Sequence, residues 1–147
     1  MEYSIYKKDL DTFVLKYKNK ELEFKSTVNM ASRVQKYQEM AEAKMILDLA
    51  KQGMTVNDLK IEKKSNGKKY IDESNYNKIR EIYRNKAMTD VFDEVCEELF
   101  DLKLADLIVD IGIEDEDKAI LFATELMNFI SGKSDDVAPS QETQTTN

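Results

Sequence analysis

The chain has 147 residues, 41% of them hydrophobic and 35% charged, with a net charge of −7. That length suits one domain and buries roughly two-thirds of the surface its unfolded chain exposes. Histidine is absent, which removes the commonest general base near neutral pH and the commonest metal ligand, and with them any Ser-His-Asp or Cys-His constellation.

The charge is unevenly divided. Residues 1–88 hold 19 of the 22 Lys and Arg and 13 of the 29 Asp and Glu, a local net of +6. Residues 89–147 carry the remaining 3 basic and 16 acidic residues, a net of −13. Asymmetry of this kind marks a molecule that meets a partner or its own copies. No apolar run approaches the ~20 residues of a membrane span. The N-terminus, Met1 to Lys8, lacks the charged-then-apolar order of a signal peptide. The single cysteine, Cys96, cannot form an intramolecular disulfide, so a reducing cytoplasm is the expected setting. One proline and four glycines leave few sharp turns and allow long helices.

In chain order, strands come first. Phe13, Leu15 and Tyr17 alternate with Val14 and Lys16, and Leu22 and Phe24 alternate with Glu21, Glu23 and Lys25. Lys18-Asn19-Lys20 supplies the turn, with Asn19 suited to its left-handed position. A lone hairpin is marginal in water, so its apolar face requires helices or a third strand near Glu2–Tyr6. Ser26 or Thr27 caps a long helix reaching Gln52, with Gly53 as its stop. Val34, Tyr37, Ala41, Met45 and Leu49 form its core stripe. A short helix starts at Thr55, where Asp58 completes a variant capping box. The stretch Lys60–Lys69 reads as a loop, with Lys60, Lys63, Lys64, Lys68 and Lys69 around Asn66-Gly67.

Helical periodicity resumes at Asp72 and runs through Tyr76, Ile79, Tyr83, Ala87, Val91, Val95, Leu99 and Leu102. A break is allowed near Met88-Thr89-Asp90. Leu104 to Ile111 stays helical up to Gly112. A last helix follows Glu114-Asp115-Glu116-Asp117, acids that suit the positive end of a helix dipole. Its stripe is Ala119, Phe122, Ala123, Leu126, Phe129 and Ile130, closed by Gly132. Residues 133–147 are polar, too poor in apolar side chains to offset the entropy of ordering them, and are expected to be disordered. The expected fold is mainly α (α+β): one helical domain over 1–132, opening with a β-hairpin at about 12–26 or a small antiparallel sheet.

Candidate chemistry is thin. Cys96 is surrounded by Asp93, Glu94, Glu97 and Glu98, which raise rather than lower a thiol pKa. Those four carboxylates share a helical face with nothing to push their pKa values apart. Glu114–Asp117 lacks the alternating ligands and mid-loop glycine of a calcium loop. The lysines of Lys60–Lys69, with Tyr70 to stack on a base, suit phosphates, but no nucleic-acid fold signature accompanies them. They carry the alternative reading, a small nucleic-acid-associated regulator. The methionines suit adaptable interfaces as well as cores, and Met40, Met45, Met54, Met88 and Met127 are candidate partner-binding residues.

This layout resembles the tail assembly chaperones of long-tailed phages and prophages of Gram-positive bacteria: small, acidic, mainly helical proteins that often open with a short β element. The matching parts are the hairpin Phe13–Phe24, the long helix after Thr27, the acidic helical half and the polar tail after Gly132. The resemblance implies a non-catalytic protein without cofactor that coats a helical tape-measure protein, helps recruit tail-tube subunits and self-associates. It also implies a translational frameshift near the end of the reading frame, for which Gly132-Lys133 is the candidate position.

Overall fold

In the computed structural model the described residues are 2–132. The disordered tail expected at 133–147, and Lys133 of the frameshift pair, lie outside them. The protein is α+β: three short strands, β1 (Tyr3–Lys7), β2 (Phe13–Tyr17) and β3 (Lys20–Phe24), precede the long helix α1 (Val28–Lys51). A 3-10 turn at Val56–Leu59 leads to a second pair of strands, β4 (Ile61–Ser65) and β5 (Lys68–Asp72). Helices α2 (Ser74–Phe100), α3 (Leu104–Ile111) and α4 (Glu116–Ser131) complete the described chain. No helix among the described residues is long and apolar enough to cross a membrane.

These elements form two compact units. Unit 1 takes residues 2–35 and 90–132, and unit 2 takes Lys36–Thr89. Both boundaries fall inside helices, α1 and α2, where no proline, glycine or composition shift announces them.

Unit 1 is built on a meander of order β1-β2-β3, so the expected hairpin has its third strand. The registers Ile5↔Leu15↔Leu22 and Lys7↔Phe13↔Phe24 put Ile5, Leu15, Leu22, Phe13 and Phe24 on one face, as period-two alternation requires, while Val14, also buried, lies on the other. That face meets aromatic rings from the helices: Tyr3 packs edge-on against Phe122 at 4.9 Å and Phe13 against Phe129 at 5.5 Å. Phe24 meets Phe100 at 5.2 Å in the same way. In the turn between β2 and β3 it is Lys18, not Asn19, that takes a positive φ, of 52°. Thr27 caps α1, its Oγ1 accepting from the Met30 N–H at 3.0 Å, while Ser26 Oγ donates instead to the Ile130 carbonyl of α4. Asp115 caps α4 by accepting from the Asp117 N–H at 3.1 Å.

Unit 2 has its own small core of Met45, Leu49, Leu59 and Tyr76, flanked by Met54, Val56, Ile79 and Tyr83. The Thr55 N–H donates to Asp58 Oδ2 at 2.8 Å, the capping contact expected of that pair. Two expectations are corrected here. The lysine-rich stretch is a β-hairpin, not a loop, because Asn66 (φ 54°) and Gly67 (φ 80°) form a two-residue turn that returns β5 along β4. Helix α2 also runs unbroken through Met88-Thr89-Asp90, since a threonine inside a continuous hydrogen-bond ladder does not end a helix without a competing cap.

Candidate interaction surfaces

Three of the four clustered carboxylates of α2, Asp93, Glu94 and Glu98, are engaged in holding unit 1. Asp93 Oδ1 accepts from the Leu104 N–H at 3.1 Å, starting α3. Glu94 and Glu98 grip Arg33 of α1 at 3.2 and 2.9 Å. Cys96 is fully buried, and burial, with Asp93 adding to it, pushes its thiol up to about 12, far from the range of a reactive thiolate. No group of three or more Cys, Asp or Glu side chains able to hold a metal ion occurs among the described residues. A shallow hollow of about 510 Å³ is lined by Glu2, Tyr3, Lys118, Leu121 and Glu125. The Tyr3 hydroxyl donates to Glu125 there, and burial raises its pKa, the Glu125 carboxylate adding to the effect; it is held as a neutral donor.

The candidate methionines separate by burial. Met45 and Met127 are core residues, 0% and 3% exposed, and so are removed from any partner surface. Met54 packs beside the unit 2 core and Met88 is partly buried. Met40 alone of the five is exposed, at 55%. It belongs to an array that the sequence analysis did not separate from the core stripe. Met40, Ala43, Leu47 and Ala50 are all exposed and recur at alternating three- and four-residue spacing, the seam of a coiled coil. On the opposite side of the same helix, Ala41, Met45 and Leu49 are buried. Helix α1 in unit 2 is therefore apolar on two faces, and only one of them is covered within that unit. Lys44 and Lys51 border the outer seam on one side, and Glu39 and the exposed Ile46 on the other. Lys44 is tied back to Asp48 at 3.3 Å, and the Tyr83 hydroxyl donates to Asp48 at 2.9 Å.

The β4–β5 hairpin is the second exposed feature. Every residue from Ile61 to Ile71 is exposed, and the pair stands as a two-stranded sheet with no third strand among the described residues. Lys63 pairs with Asp72 at 2.6 Å and Lys69 with Glu62 at 3.6 Å. Asp72 also accepts from the Ser74 N–H at 2.9 Å, fastening the hairpin to the start of α2. These contacts hold the Asp72 carboxyl far below the usual range, the bond to Lys63 contributing most.

The two units differ in charge. Unit 2 has 12 basic and 8 acidic residues, a net of +4; the described part of unit 1 has 9 and 18, a net of −9. The sequence division at residue 88 thus misplaced the first 35 residues, which belong with the acidic body. Comparison with family models, with curated proteins and with solved structures finds no match to this chain.

Proposed function

We propose that the protein is a non-catalytic phage tail assembly chaperone that binds the helical tape-measure protein and helps recruit tail-tube subunits, working by protein–protein contact without a cofactor. The observation that carries this reading is the outer seam of α1, Met40, Ala43, Leu47 and Ala50, left exposed on a helix whose other face already supplies the unit 2 core. A seam at that spacing matches the periodicity of a helical client, and helix-in-groove or helix-on-helix recognition is how such anchors are read. The alternation of large and small side chains lets a client backbone approach closely at Ala43 and Ala50 while Met40 and Leu47 fill its grooves. The thioether of Met40 adapts to varied apolar partners. Tape-measure identity itself comes from the resemblance in layout and charge.

Co-expression with a tape-measure protein, followed by size-exclusion chromatography, tests the reading. The wild-type chain is expected to co-elute with that client. Replacing both Met40 and Leu47 by Glu is expected to abolish co-elution with the melting temperature almost unchanged, because exposed substitutions of this kind stay within about 0.5 kcal/mol. Co-elution that survives the double substitution would overturn the seam as the client site. Absence of any complex with the wild-type chain would overturn the chaperone reading.

A further inference from the structure

We propose that the β4–β5 hairpin is a second docking element, which takes an extended acidic segment of a partner protein as a third strand along the free edge of β5. This surface and this class of partner are independent of the helical client assigned to α1.

The argument starts from the turn. Asn66 and Gly67 both have positive φ, the two-residue turn that matches strand twist, and it is flanked by the pair Ser65↔Lys68. In such a hairpin the flanking pair exchanges its hydrogen bonds inward, and the next pair does not. Lys64↔Lys69 and Glu62↔Ile71 therefore direct their N–H and C=O groups outward. The outer edge of β5 presents the backbone of Lys69 and Ile71 as an unpaired ladder, and exposed ladders of this kind are templates for strand addition.

Side chains specify what would bind. Lys64 and Lys69 stand directly opposite each other on one face, at the non-hydrogen-bonded kind of site where opposed side chains come closest and like charges repel. Lys69 has Glu62 as a partial answer at 3.6 Å, whereas Lys64 and Lys68 have no ion pair among the described residues. Anionic groups on an incoming strand would relieve this excess. The same face carries Ile71, 56% exposed, so the complementary strand alternates acidic with apolar side chains. The β4 edge is less suited because Glu62 borders it. A hairpin with no covered face is marginal alone, and a third strand adds cross-strand pairs and backbone bonds at once.

The test is fluorescence anisotropy on the full chain with a short labelled peptide alternating valine with aspartate and glutamate. Three further probes are the same peptide N-methylated at alternate amides, its composition-matched scramble, and single-stranded DNA. The alternating peptide is expected to bind, and Lys64→Glu with Lys69→Glu to weaken it by roughly tenfold or more, the scale of losing charge-assisted contacts. Ile71→Ser is expected to weaken it less, and N-methylation to abolish it. Because all three positions are exposed, an unchanged circular dichroism spectrum is the control for folding. Three results would each overturn the proposal: no binding of the alternating peptide, equal binding of the N-methylated or scrambled peptide, or single-stranded DNA binding more tightly through the same lysines.

Discussion

Tyr17 donates to Asp110 Oδ2 at 2.6 Å, and Lys20 Nζ lies 3.1 Å from the same oxygen, so one carboxylate on α3 holds the β2–β3 end of the unit 1 sheet. The bond from Tyr17, and secondarily Lys20, lowers the pKa of Asp110. The sign follows from linkage: a folded-state pKa below the unfolded value gives stability that is present above the unfolded value and lost as pH falls through the folded one. Asp110→Asn is therefore expected to lower the urea midpoint at neutral pH and to flatten its decline toward about pH 3, near and below the ordinary carboxyl range. An acid limb as steep as that of the wild type would count against the assignment. At Cys96 the expectation is inertness. With the thiol buried and its pKa pushed up to about 12, iodoacetamide at mildly alkaline pH should label the folded chain far more slowly than the urea-unfolded one. Equal rates in the two states would mean that Cys96 is reached by local opening.

At the scale of elements, the helices were the legible part of the sequence, and the reason is burial. Of the expected α1 stripe, Val34, Ala41, Met45 and Leu49 are buried and Tyr37 is half-buried, and Thr27 caps where a hydroxyl was expected. Thr27→Ala should cost about 1 kcal/mol, the usual worth of an N-cap, read as a shift in the urea midpoint; a shift within error would show Ser26 or water replacing it. The β4–β5 strands were illegible because no core selects their pattern. Lys63, Lys64, Lys68 and Lys69 carry no apolar alternation, and pairing is fixed by the Asn66-Gly67 turn and the Lys63–Asp72 bridge. Of the candidate methionines Met40 is exposed whereas Met45 and Met127 are buried, a difference the sequence does not carry, since residue type does not say which face of a helix is covered. The outer seam was readable in principle: Met40, Ala43, Leu47 and Ala50 keep a regular spacing about half a turn away from Met45. The core stripe masked it because both patterns share one helix.

For the whole molecule, a unit of net +4 joined to one of −9 makes electrostatic self-association the natural expectation in dilute salt. Individual surface pairs are worth about 1 kcal/mol or less, so many must act together, and screening should dissolve the assembly as the Debye length shortens to about 8 Å near physiological ionic strength. Light scattering across a salt series measures this. A monomer at every salt and protein concentration would contradict the expectation, and an oligomer indifferent to salt would point to the α1 seam instead.

The ring contacts Tyr3–Phe122 and Phe13–Phe129 also set an order of events during synthesis. Unit 2 is one continuous stretch, 36–89, whereas the sheet of unit 1 waits for α4, more than a hundred residues later in the chain. Closing contacts that distant is slow relative to local ones. Strands β1–β3 thus leave the ribosome well before α4 can seal their aromatic face. Pulse-labelled hydrogen exchange during refolding should protect the amides around Met45–Leu49 and Tyr76–Tyr83 before those of β2. Simultaneous protection of both would mean that the chain folds in a single cooperative step.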